Sequence, residues 1–265
     1  MNVRYLLEKV GITPGYFVIL REMIISDFSG RYKNTIFGFF WSLLYPLVYF
    51  GSIFLIYAIG VIKFNIQYYP LYLLLGIILY LFFIDSTQYA LVKLENRKNI
   101  IKNIYFPYST IVVSINITYF INLLLNFIIF FLFYSFFSIH LKLSSMLFFF
   151  LLLLTYLLIT NGISFMLSAL AYNIWDFKII WTFITSMGFF IMPIFYPLSQ
   201  IPKKYIIFYQ LNPIAIIIQD IRDILLYNTT PSIVHFVFLL IFSVIIFLAG
   251  LIIFNKRATT FAEEF

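Results

Sequence analysis

A chain of 265 residues that is 63% hydrophobic and 10% charged, with a mean hydropathy of +1.03, cannot cover itself with a water-compatible surface; soluble domains carry about 25% charged residues. The absence of cysteine excludes disulfides, thiolate metal sites and cysteine nucleophiles. The net charge of +7 is read as basic residues gathered on one side of a membrane, with no nucleic-acid partner.

The first 35 residues form a cytoplasmic segment. Thr13 and Pro14 are a helix-start signal, with Thr as cap and Pro at the first helical position. Phe17, Leu20, Ile24, Ile25 and Phe28 then recur at helical spacing among Arg21, Glu22, Asp27 and Arg31, the pattern of an amphipathic helix at the membrane interface. Such a helix serves as a surface anchor or as a contact for a partner. No cleavable signal peptide is expected.

Residues 36–265 form an all-α integral membrane domain. Apolar stretches at 36–62, 68–91, 111–139, 146–171, 179–193 and 233–254 predict six transmembrane helices, the fifth short against the ~20 residues that cross a bilayer. They do not alternate as barrel strands do. Most of the 17 basic residues fall before the first span, between the second and third, and after the fourth and sixth, which predicts both termini in the cytoplasm. Asp85, with Ser86, Thr87 and Gln88, lies toward the cytoplasmic end of the second span, and its charge requires a cavity, the protein interior or nearby headgroups. Asn116, Asn122, Asn126 and Asn161 are expected to act as interhelical glue.

Between the second and third spans, residues 93–107 predict a short charged helix ending near Pro107, either a docking element or a solvated helix end. Before the last span, Pro193, Pro197, Pro202 and Pro213 divide apolar pieces too short to cross. This pattern predicts a re-entrant helix pair at about 196–228, tolerated where protein or water satisfies its backbone. No P-loop, HExxH or GxSxG occurs, and His140 and His235 are far apart. The chain therefore has no predicted catalytic residue, metal site or cofactor of its own.

Several segments together resemble one family. Arg31-Tyr32-Lys33, Gly38, Trp41 and Pro46-Leu47 look like the opening signature of ABC-2-type polysaccharide export permeases. Residues 101–107 resemble their cytoplasmic element. Met192-Pro193-Ile194-Phe195-Tyr196, Ile201-Pro202, Asn212-Pro213 and Arg222-Asp223 resemble the segment around their re-entrant helices, and Phe254-Asn255-Lys256 with Phe261-Ala262-Glu263 their tail. Trp175 stands where the family often has arginine.

The resemblance implies the transmembrane subunit of an inner-membrane ABC transporter for a lipid-linked polysaccharide such as O-antigen, teichoic acid or capsule. It implies a homodimer with two ATP-binding cassette subunits, which bind the ATP and Mg. By the same resemblance Arg21, Asp27, Glu95, Asn96, Arg97 and Lys98 are ATPase-coupling contacts. Arg31 and Lys33, at headgroup depth, are candidates for the polyprenyl diphosphate. Trp41, Tyr45, Tyr49, Tyr196 and Tyr209 are channel-lining candidates, because sugar faces stack on aromatic rings while hydroxyls stay wet. Alternative readings are an ABC-2 permease for lipids, drugs or peptides, and a membrane-embedded glycan-transfer enzyme.

Overall fold

The computed structural model of the chain describes residues 15–32, 37–38, 40–61, 64–97, 106–139, 141–171, 174 and 176–263. Thr13, Pro14, Lys33, Lys98, the segment 101–105, His140 and Trp175 lie outside the described residues, as do the side chains of Glu95 and Asn96. Among the described residues every regular element is helical: α1 (Tyr16–Tyr32), α2 (Phe40–Ala58), α3 (Tyr69–Asn96), α4 (Ser109–Tyr134), α5 (Leu143–Ala171), α6 (Asp176–Ile191), a 3-10 turn (Leu198–Gln200), α7 (Lys203–Gln210), α8 (Pro213–Tyr227) and α9 (Ile233–Glu263).

Five of these helices, α2, α3, α4, α5 and α9, are long and apolar enough to cross a membrane, so this is a multi-pass membrane protein. The fifth stretch expected from the sequence folds as α6, of 16 residues. At 1.5 Å per residue it is about 24 Å long, short of the ~30 Å hydrocarbon core.

Helix α3 forms the centre, with most of its length buried by its neighbours. Its contacts fix the direction of each helix around it. Tyr156 donates to the Leu79 carbonyl at 3.0 Å and Ser168 to the Ala90 carbonyl at 2.9 Å, so α5 runs parallel to α3. Arg257 reaches the Ala169 carbonyl at 3.0 Å, while Phe148 meets Phe236 and Phe165 meets Phe247, so α9 is parallel to α5. The two approach closely where Gly250 lies against Gly162; a Cβ on Gly250 would sit 2.2 Å from the Gly162 carbonyl oxygen. Small residues that let backbones touch are a main device of helix association in lipid.

The opposite direction belongs to α2, α4 and α6. Tyr57 of α2 packs on Tyr69, Phe82 on Phe120 of α4, and Trp181 of α6 on Phe83. The asparagines of α4 join helices in two places. Ser164 donates to Asn116 Oδ1 at 3.2 Å, and Asn126 Nδ2 reaches the Ser42 carbonyl at 3.4 Å. Asn161 instead donates to the Leu157 carbonyl of its own helix at 2.9 Å.

Helix α1 packs across one end of this bundle. Tyr16, Ile19, Met23 and Asp27 turn inward, whereas Phe17 and Ile25 are exposed. The reason is electrostatic. Asp27, 7% exposed, pairs with Lys93 at 2.8 Å and with Arg97, also 7% exposed, and accepts a hydrogen bond from Ser114 at 3.2 Å. A carboxylate with three such partners turns α1 about its axis in a way that apolar spacing cannot predict.

Candidate functional site: a polar cavity and an aromatic series

Two features stand out, one at the α1 end of the bundle and one running to the opposite end. The first is a cavity of about 430 Å³ between α1, α2, α3 and α4. Arg31 from the last turn of α1 lies 3.5 Å from Asp85 of α3, and its guanidinium stacks 4.2 Å from the Tyr119 ring centre. Trp41 and Tyr45 of α2, Tyr89 of α3, and Asn122 and Asn126 of α4 complete the polar and aromatic lining. Asp85 therefore faces a cavity, as its insertion cost demands, and its partner comes from 54 residues away in sequence (85 − 31). Arg31, a candidate for the lipid diphosphate, shares its charge with that carboxylate.

The second feature begins in the same cavity. Trp41, Tyr45 and Tyr49 recur every four residues on α2 and so stand on one helix face. All three remain substantially exposed. Tyr45 and Tyr49 are linked through their hydroxyls at 3.3 Å. Tyr49 meets Phe189 of α6 with ring centres 5.8 Å apart, Phe189 meets Phe195 at 6.5 Å, and Phe195 meets Tyr196 at 5.0 Å. The Tyr196 and Tyr209 hydroxyls lie 3.4 Å apart. Four of the aromatic candidates, Tyr45, Tyr49, Tyr196 and Tyr209, thus join one series of contacts, completed by Phe189 and Phe195, and Trp41 stands one turn before Tyr45 on the wall of the same cavity.

What positions the far end of that series is the break after α6. Pro193 stops the helix, and Pro197, Pro202 and Pro213 each fall at the border of the next short element. A break in an apolar setting leaves carbonyls without helical donors. Side chains satisfy them one after another. Tyr209 donates to the Ile191 carbonyl at 2.9 Å and Tyr196 to the same oxygen. Arg222 donates to Pro193 and Ile194 at 2.7 and 2.6 Å. Tyr69 and Tyr72 of α3 cover Phe195 and Tyr196, each at 3.2 Å.

Arg222 is the centre of this arrangement. It is fully buried, its guanidinium lies 3.6 Å from the Tyr72 ring centre, and it fits only because residue 76 has no side chain: a Cβ there would stand 2.0 Å from Nη2. An arginine inside the apolar run of α8 is itself the available signal.

Helix α8 begins with a cap legible in the sequence. Asn212 Oδ1 accepts from Ile214 N at 3.0 Å and from Ala215 N at 3.4 Å, with Pro213 at the first helical position, the arrangement expected of an Asn-Pro start. It ends at Asn228 in the left-handed conformation. Its first turn lines a second, largely apolar cavity of about 720 Å³ together with Tyr80, Phe83 and Ile163. Tyr80 is 11 residues into α3, about 16 Å from its start. The last turn of α8 lies beside Tyr134, which donates to the Leu225 carbonyl at 3.0 Å, at the end opposite α1.

The coupling candidates divide. Asp27 and Arg97 face each other inside the chain, as described above. Arg21 is exposed on the outer face of α1, beside Glu22 at 3.3 Å. Glu95 and Asn96 close α3. Among the described residues no three His, Cys, Asp or Glu side chains gather to hold a metal.

Residues 19–226, well over half the chain, match the family described as ABC-2 type transporter. An O-antigen export system permease protein RfbA from Klebsiella pneumoniae is 27% identical over 256 residues, covering 96% of this chain and 98% of that protein. The protein of the same name from Myxococcus xanthus is 22% identical over 255 residues, covering 94% and 96%. With helices of the expected kind and this extent of match, the chain belongs to the ABC-2 type transporter family.

Proposed function

We propose that this chain is the membrane subunit of an ABC transporter that exports a lipid-linked polysaccharide such as O-antigen across the cytoplasmic membrane. It works as a homodimer with two ATP-binding cassette subunits, which bind and hydrolyse the ATP. The observation that carries this reading is the aromatic series from Tyr45 to Tyr209, with Trp41 one turn before it, accessible at Trp41, Tyr45 and Tyr49 and tied to the polar cavity at Arg31 and Asp85. A glycan that slides must be held weakly and repeatedly. Rings that stack on sugar faces, each with a hydroxyl or indole N–H at its edge, meet that need. The near full-length similarity to O-antigen export permeases supports the same substrate class.

In this reading the polypeptide crosses six times, with both termini in the cytoplasm. Helix α6 is short, but it is extended by the irregular stretch to Tyr196, and the two together run beside α3 from Thr87 to Tyr69. Thr87 and Tyr69 are 18 residues apart on one helix, about 27 Å, close to a hydrocarbon thickness. Helices α7 and α8 dip from the outer side and return. The support is that α8 starts beside Tyr80 and finishes beside Tyr134. Helix α1, with Arg21 outward, and the connection after Asn96 meet the ATPase.

Alanine at Trp41, Tyr45, Tyr49, Tyr196 and Tyr209 together tests the function. In a complex of normal abundance, lipid-linked polysaccharide is expected to accumulate inside the cell and vanish from its surface, while ATP hydrolysis persists. Unimpaired export by that variant would refute the aromatic route. Unimpaired surface polysaccharide in a strain lacking the chain would refute the exporter itself.

A further inference from the structure

A further cavity, of about 490 Å³, lies under α1 where that helix meets α3 and α4. Arg31, Tyr89 and Tyr119 form walls of both this cavity and the one at Asp85. Its other charged residues are Asp27 of α1, Lys93 of α3 and Arg97 just after it.

The charges there do not balance. Asp27 Oδ1 takes both Lys93 and Arg97, and its Oδ2 takes Ser114, so one carboxylate answers two cations. Arg31 adds nothing to the surplus, because Asp85 at 3.5 Å balances it. One positive charge is left over. A ligand meets only the accessible groups. Asp27 and Arg97 are closed in by their own contacts, whereas the Lys93 side chain is 27% exposed. Its ammonium carries three N–H donors, and Asp27, at 2.8 Å, is its one printed ionic contact among the described residues. The exposed Ser26 and Tyr89 add hydroxyls at the rim.

Depth points to the ligand. Lys93 lies six residues past Thr87 on α3 (93 − 87), about 9 Å along the axis. In the topology proposed above Thr87 marks the inner border of the hydrocarbon, so Lys93 reaches the level of the lipid headgroups. The anion concentrated at that level is phosphate, whose oxygens accept from ammonium and hydroxyl donors together. A neutral headgroup brings no charge to meet the surplus. The volume lies in the range of small-ligand sites.

We propose that this cavity is a phosphoryl site centred on Lys93, which takes the phosphate or diphosphate headgroup of a lipid in the cytoplasmic leaflet. Two lipids share that chemistry: an anionic phospholipid of the bilayer, and the polyprenyl diphosphate that anchors the glycan in the exporter reading. The inference rests on that reading for the side of the membrane and adds to it a lipid contact made by α3.

The test uses the chain assembled with its ATPase partner in detergent micelles. Phosphatidylglycerol, undecaprenyl diphosphate and the neutral monoglucosyl diacylglycerol are titrated in, and binding is read by native mass spectrometry. At least one phosphoryl lipid is expected to bind ~10-fold more tightly than the neutral one, the size of one charge-assisted hydrogen bond. Lys93→Met is expected to weaken that lipid by about tenfold, and Lys93→Arg to retain it, since a guanidinium also serves phosphate. Lys93→Met leaves Asp27 and Arg97 as a one-to-one pair, so the complex is expected to melt like the parent. Lys178→Met removes a cation of α6 at the same end of the bundle and is expected to bind as the parent does.

Binding of phosphatidylglycerol alone identifies a bilayer lipid as the occupant, and undecaprenyl diphosphate alone identifies the anchor of the cargo. Binding of both shows a site open to either; all three results uphold the proposal when Lys93→Met weakens them. Binding of none of the lipids, or equal binding of the neutral one, would overturn it. So would undiminished binding by Lys93→Met, or equal losses in Lys93→Met and Lys178→Met, which would reduce the attraction to that of a basic face in general. Those results leave the exporter reading standing, since the surface-polysaccharide assay decides it separately.

Discussion

Gly76→Ala is expected to destabilise the protein by about 3–5 kcal/mol, the cost of separating a buried charge from its partners. The added methyl would stand 2.0 Å from Arg222 Nη2 and 3.0 Å from the Ile194 carbonyl oxygen. The guanidinium end is flexible in principle, but here two carbonyls and the Tyr72 ring hold it. To make room it must leave both acceptors within a site that offers it no water. Arg222→Met destabilises by a different route, since it removes the charge and leaves the Pro193 and Ile194 carbonyls unpaired, at about 1–3 kcal/mol each.

The two changes share one cause, so they should not add. With no guanidinium present, the methyl introduced at position 76 keeps only its 3.0 Å approach to the Ile194 carbonyl oxygen, and the double variant is expected to melt close to the midpoint of Arg222→Met alone. Thermal unfolding in a fixed detergent reads all three. A Gly76→Ala protein that melts like the parent, or a double variant showing the sum of the two losses, would contradict the account of the break after α6.

Asp27→Asn should release α1 from the bundle. Its carboxylate is the shared anion for Lys93 and for the buried Arg97, so neutralising it leaves two cations facing each other with little solvent at one of them. Removing one partner of a buried pair costs about 3–5 kcal/mol, whereas removing both is often near neutral. Hydrogen exchange of the α1 amides checks the point. Asp27→Asn is expected to lose protection across α1, and Asp27→Asn with Arg97→Leu to recover a large part of it. Parent-like protection in the single variant would show that apolar contacts at Met23 and Ile19 suffice.

These two sites mark the limits of what the sequence makes legible. Helices follow from apolar run length, and the four prolines mark element borders because proline cannot continue a helix. The Asn212-Pro213 start of α8 is equally readable. The Trp41, Tyr45 and Tyr49 face follows from their spacing alone. The inward face of α1 does not, because apolar periodicity assigns charges to the outside, and here Asp27 is drawn inward by Lys93 of α3, Arg97 just after it and Ser114 of α4. The same holds for Arg31 with Asp85, and for Arg222 with the carbonyls it covers. Each is a contact between distant residues, and nothing local in the chain records it. The short α6 is visible as a short apolar run. That the carbonyls at its end and in the break after it are covered by Tyr69, Tyr72, Tyr196, Tyr209 and Arg222 is not.

The most direct test of a glycan route along the aromatic series is site-specific photocrosslinking in transporters stalled by a hydrolysis-deficient ATPase partner. A photoreactive amino acid is placed in turn at positions 45, 49, 196 and 209, and at position 150 on an exposed apolar face of α5. Adducts with radiolabelled polysaccharide at the first four positions and none at 150 are what the route predicts. Absence of glycan from all four, or equal labelling at 150, would contradict it.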